Sequence, residues 1–151
     1  MNKSLGYWIE KLLAYVCGFV CVIISYKYSV SFSFIFDSSF LDKVISISST
    51  LFGFLLAILT LILQGNSTTV SAMKRHGSYS RLIKFNKSTV ISAIITCTLS
   101  LFLSFCSTGI RVVSNEMLFF IATLNFGIFV SIIVNTVIFT LIFYRIVIAD
   151  Q

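Results

Sequence analysis

Proline is missing from this 151-residue chain, and charge is scarce: eleven Lys or Arg, five Asp or Glu, and a single histidine. The first absence removes the Pro-broken mid-membrane helices on which many secondary transporters rely. The second excludes an ordinary soluble domain, in which about a quarter of the residues carry charge. With 11% charged residues, 58% hydrophobic ones and a mean hydropathy of +1.03, too little polar material exists to cover a surface in water. Most of the surface is expected to face lipid. His76 has no second histidine and no neighbouring carboxylate, so it offers no metal site. No phosphate-binding G-x-x-x-x-G-K-[ST], no H-E-x-x-H, no G-x-S-x-G and no inward pair of carboxylates occurs. Neither an enzyme nor a bound cofactor is expected. Cys17, Cys21, Cys97 and Cys106 all fall inside apolar runs, where they read as small packing residues rather than a disulfide framework or zinc ligands.

What remains is long apolar runs. Four can be drawn, at about 6–27, 42–64, 88–109 and 117–147. A run of about twenty residues at roughly 1.5 Å each crosses a hydrocarbon core of roughly 30 Å. The first run, with Trp8, Glu10 and Lys11 near its start and no small-residue cleavage site before Tyr26, reads as a retained span rather than a signal peptide. The expected fold class is an all-α integral membrane protein: one domain over 1–151, a four-transmembrane-helix bundle.

Positive charge orients it. With both ends inside, Lys3, Lys11, Lys74, Arg75, Arg81, Lys84, Lys87 and Arg145 lie on the cytoplasmic side and only Lys27, Lys43 and Arg111 outside, eight against three. That bias predicts an N-in/C-in topology in a cell inner (plasma) membrane. The outer segment Tyr26–Leu41 alternates Val30, Phe32, Phe34 and Phe36 with polar residues, the pattern of a short strand or an extended interfacial segment with an aromatic belt. The inner segment Gly65–Lys87 interleaves Val70, Met73, Tyr79, Leu82, Ile83 and Phe85 with Lys74, Arg75, Arg81, Lys84 and Lys87. Such a basic, amphipathic stretch suits the anionic inner leaflet or a cytoplasmic partner protein. Direct nucleic-acid binding is not expected, because the basic residues sit beside the apolar runs.

Small residues mark the faces on which these helices should meet. The third run has a hydroxyl at every fourth position, Ser88, Ser92, Thr96, Ser100, Ser104 and Thr108; in the second, Ser49, Gly53, Ala57 and Thr60 step by three or four. Rows of this kind admit a neighbouring backbone closely and offer hydroxyls across the contact. The expected packing seam is therefore Ser49, Gly53, Ala57, Thr60, Ser92, Thr96, Ser100 and Ser104, and it favours a homo-oligomer. In the first run Ala14, Cys17, Gly18, Cys21 and Ser25 share a side. In the fourth, Asn125, Asn135 and Thr136 are amide and hydroxyl groups in hydrocarbon; they must face protein as interhelical glue or line a water-filled path. Glu10, near a membrane boundary and beside Lys11, is expected to pair with a cation such as Arg145 rather than to couple protons.

The stretch Gly53-Phe54-Leu55-Leu56-Ala57-Ile58-Leu59-Thr60, followed by a polar segment, a basic cluster and Gly77-Ser78-Tyr79, resembles the small four-span membrane effectors of bacterial and phage exclusion systems, the lambda Rex system's membrane protein among them. The residue match lies within 53–79, while the layout of spans and basic inner loop is similar over most of the chain. The resemblance implies a membrane protein triggered by a cytoplasmic sensor that depolarises the host. Two further functions fit the same composition: a membrane immunity or superinfection-exclusion protein, and a small cation exporter working through Glu10.

Overall fold

A computed structural model describes residues 3–28, 33–64, 78–107 and 114–149; for 3–11, 33, 36, 62–63, 78–79, 81 and 145–149 the description is of the backbone. Four long helices account for nearly all of it: α1 (Lys3–Lys27), α2 (Ser38–Gln64), α3 (Ser78–Ser107) and α4 (Asn115–Ala149), with a 3-10 turn at Ser33–Phe36. The described residues contain no strand. Three stretches are long and apolar enough to cross a membrane, Ser38–Leu61, Leu82–Ser107 and Asn115–Tyr144, and α1 contributes the shorter apolar stretch Leu12–Lys27.

The packing is sequential rather than ring-like. α1 lies along α4 and α2 along α3, and the α3–α4 pair joins the two halves, with a lighter contact between α2 and α4. The three principal pairs are antiparallel, so α2 and α4 run parallel. Ala14 meets Ser131 and Gly18 meets Gly127; Asn86 meets Leu55 while Cys97 meets Ile45 and Ser49; Ser100 meets Asn125 while Phe85 clusters with Phe139. Large apolar side chains such as Leu12, Phe19, Leu61, Phe105 and Leu141 point outward all around the molecule. That is the surface composition had foretold.

Three expectations need correction. The first is the inner segment. α3 starts at Ser78, ten residues before the expected 88, so Arg81, Lys84 and Lys87 stand on a helix rather than in a loop. Leu82 and Phe85, 2% and 4% exposed, form a core cluster with Leu55, Ile58 and Phe139 instead of lying on a leaflet. The charges at 84 and 87 mask a helix whose buried positions Leu82, Phe85, Asn86 and Thr89 follow the helical period. The part at 65–77, with Lys74, Arg75 and His76, lies outside the described residues.

The second is the outer segment. Its described part at Ser33–Phe36 is a 3-10 turn rather than extended, while Val30 and Phe32 lie outside the described residues; Ile35 plugs that end of the bundle against Leu41, Leu103, Cys106, Leu118 and Ala122. Phe34 meets Phe40 and Phe126 edge-on, at ring centroid distances of 5.2 and 6.5 Å. Asp37 then caps α2: its carboxylate accepts from the Ser39 amide at 3.2 Å and the Ser39 hydroxyl at 2.9 Å. An N-cap aspartate satisfies orphan donors of the first turn, and here it starts α2 at Ser38 rather than 42.

The third is the α2 seam. Ser49, Gly53, Ala57 and Thr60 are exposed, and a Cβ built on Gly53 would meet nothing within 4 Å. The face of α2 that packs is Leu41, Val44, Ser48, Leu55 and Ile58. Within one chain this face therefore packs only through Ser49, whose Oγ lies 3.6 Å from Cys97 Sγ, and the Thr60 hydroxyl is turned to its own helix, Oγ1 donating to the Leu56 carbonyl one turn back at 2.9 Å. A hydroxyl satisfied by its own helix has no need of a neighbour. Thr50, Thr98 and Thr140 do the same.

Candidate functional site

α1 and α4 cross at close range. A Cβ on Gly18 would fall on Ser131 Oγ and 2.5 Å from the Gly127 carbonyl oxygen, while one on Gly127 would strike Val22 and stand 2.9 Å from the Gly18 carbonyl. Ala14 and Gly18 on one helix, and Gly127 and Ser131 on the other, are small residues four apart, which is how two backbones in lipid come together. Ser131 Oγ lies 3.1 Å from the carbonyl of Gly127 in its own helix and 3.0 Å from that of Ala14 across the contact. The sequence had marked Ala14, Gly18 and Ser25, all buried here. It had missed Gly127 and Ser131, although the same spacing of four is present between them.

Along α3 the hydroxyl row turns inward. Thr96 and Ser100 are fully buried, and Ser92 and Ser104 are half-buried. Ser100 Oγ accepts a hydrogen bond from Asn125 Nδ2 at 2.8 Å, joining the row to the amide of α4. One further amide belongs to the set and was not singled out from sequence. Asn86, 1% exposed, donates from Nδ2 to the Leu55 carbonyl of α2 at 2.8 Å. In the sequence it stands among charges at 84 and 87 that read as a surface. The apolar positions on either side of it were the available signal.

Asn86, Asn125 and Asn135 are 1%, 2% and 4% exposed, and in all three the carboxamide oxygen finds no hydrogen-bond partner among the described residues. The hydroxyls of Ser48 and Thr96, both fully buried, likewise find none among the described residues. Thr136, by contrast, donates to the Ile132 carbonyl at 2.8 Å and is satisfied within α4. Asn125 and Thr136 stand eleven positions apart on one helix, about 16 Å along its axis. The amides are therefore beads along the bundle interior, not one cage. Acceptor oxygens without donors in a water-poor interior each cost about 1–3 kcal/mol. What they can do chemically is accept: from water, from a donor on a rearranged helix, or by coordinating a hard cation.

Among the described side chains, the charged groups sit away from this interior. Lys84 and Lys87 are exposed on the first turns of α3, and Glu116 is exposed in the first turn of α4, where a carboxylate complements the helix dipole. No cluster of His, Cys, Asp or Glu able to hold a metal occurs among the described residues. Glu10 and Arg145 lie on described stretches of α1 and α4, but their side chains do not, so the expected pairing falls outside the described residues.

The fold and site together define a class: an all-helical bundle with three membrane-capable helices and an amide-bearing interior. Compared with known proteins, the chain matches no family model, no curated protein and no solved structure.

Proposed function

We propose that this chain is a multi-pass inner-membrane effector or sensor of a bacterial phage-defence system, N-in/C-in, which works as an oligomer and alters membrane permeability when a cytoplasmic sensor protein engages its basic segment 65–87. The single observation that carries the reading is the set of three buried amides whose oxygens lack donors. In a bundle meant only to stand in the membrane, the Nδ2 bonds from Asn86 to Leu55 and from Asn125 to Ser100 serve as interhelical glue, but the unpaired oxygens add only cost. A bundle with a second, wetter arrangement does gain. Each acceptor destabilises the packed state and is satisfied once water or a hydrated cation reaches it.

The trigger acts through α3. Because that helix is continuous from Ser78 to Ser107, Arg81, Lys84 and Lys87 share one rigid rod with Asn86, Thr96 and Ser100. A partner that binds the basic end and turns or tilts the rod moves the amide contacts with Leu55 and Asn125 at once. Such a rigid-body shift of a packed helix is a recognised switching device.

The experiment is an infection series in cells bearing a potential-sensitive dye. Replacing Lys74, Arg75 and Arg81 together by Gln should abolish the infection-dependent loss of potential at unchanged membrane abundance. An unaltered response in that variant would remove the basic segment from the mechanism.

A further inference from the structure

Between α1 and α3, over the exposed side of α4, lies an open groove of about 520 Å³. Val16, Phe19 and Val22 of α1 form one wall, Ser92 and Ile95 of α3 the other, and Gly127 lies among the α4 residues of its lining. Its lining is almost wholly apolar, as a surface facing lipid tails should be. At one end it is crossed by a hydrogen bond from α1 to α3, Tyr15 Oη to Ser88 Oγ at 3.3 Å. Beyond that bar the character changes. Lys84, exposed, stands one turn before Ser88 on the row Lys84–Ser88–Ser92, and Lys87 is exposed beside it. Lys11 holds the corresponding position on α1, one turn before Tyr15. No acidic residue lies at 82–95, the α3 stretch that flanks the groove, whereas on α1 Glu10 stands next to Lys11.

We infer that this groove is a binding site for one anionic phospholipid, with an acyl chain between α1 and α3 and the phosphate at the lysine-bearing mouth. The inference rests on the membrane-spanning reading but not on the permeability function. Charge complementarity selects the ligand: the α3 wall ends in the exposed Lys84 and Lys87, and each basic residue at a membrane surface favours an anionic headgroup severalfold. The bar between Tyr15 and Ser88 argues against a second copy of the chain. A helix about 10 Å across cannot run the length of a groove that is bridged at one end, whereas a flexible tail can lie up to the bridge with its headgroup beyond it. Ser88 and Tyr15 add hydroxyls at the depth of the glycerol ester region.

The test uses the purified full-length chain in detergent, titrated with phosphatidylglycerol or phosphatidylcholine of the same acyl composition and read by native mass spectrometry. One phosphatidylglycerol per chain is expected to be retained, with a preference over phosphatidylcholine of about tenfold. Lys84→Gln should lower that preference by about fivefold while leaving retention of both lipids measurable. Val16→Phe, at an exposed position, and Ser92→Leu, deeper in the groove, should each reduce retention of both lipids. Agreement of the two filling variants guards against a folding defect in either. Equal retention of the two lipids by the unaltered chain would overturn the inference. So would filling variants that keep the lipid, or that lose a chain dimer and leave lipid retention untouched.

Discussion

Gly53 and Gly127 look alike in the sequence, each the small residue in an apolar helix, yet the structure gives them opposite roles. Gly53 faces open space and Gly127 lies against the backbone of α1. Leucine at 53 should therefore leave the fold of a single chain intact. Leucine at 18 or 127 should drive α1 from α4, at a cost at or above the roughly 1–3 kcal/mol typical of overpacking, because the obstacle is a carbonyl that cannot turn aside. Thermal unfolding in detergent, followed by the helical signal, separates the two. A loss of stability in Gly53→Leu equal to that in Gly127→Leu would contradict the placement of α2. Whether a glycine packs was not legible, because small size permits close approach without requiring it. The amides were more legible: Asn125 and Asn135 stood out because a carboxamide inside an apolar span must be buried or wet. Asn125→Leu removes the bond to Ser100 and one unpaired oxygen together, so its effect on stability should stay within about 1 kcal/mol. Ser100→Leu instead forces bulk into a fully buried site beside Asn125 and should be clearly worse than Leu101→Phe, whose side chain points outward.

At the scale of the element, the periodic apolar runs carried the helices, and their ends carried most of the error. α3 is the instructive case. Lys84 and Lys87 lie on its exposed side while Leu82, Phe85, Asn86 and Thr89 face the interior, so the helix is amphipathic only over its first three turns and apolar beyond. Reading by hydropathy alone cuts such a helix where the charges stop. If the first turns of α3 are core, Phe85→Ala should destabilise the bundle by about 3 kcal/mol, through lost packing against Leu55, Ile58 and Phe139. A segment merely lying on a leaflet would tolerate the change, and unfolding of the purified chain distinguishes the two. The start of α2 follows the same logic in miniature. Asp37 and Ser39 spell an N-cap, and a cap read before the hydropathy would have placed the boundary correctly.

For the whole molecule, the all-helical bundle followed from composition, while the order of packing did not. Nothing in the sequence says that α1 pairs with α4 and α2 with α3, because that choice depends on which small residues find a backbone opposite them. Topology rests on charge. With the eight-to-three distribution of Lys and Arg, single cysteines in a variant lacking the four native ones should react with an impermeant reagent from outside at Ser114 and not at Ser67. Labelling of Ser67 alone would invert the orientation and remove the basic segment from the reach of any cytoplasmic partner. The central claim is that the amide-bearing interior is where permeability changes, and membrane potential during phage infection addresses it most directly. Cells carrying the unaltered chain should depolarise on infection, and cells carrying Asn125→Leu with Asn135→Leu at equal membrane abundance should hold their potential. Depolarisation of the double variant to the same extent, or none in cells carrying the unaltered chain, would contradict the account.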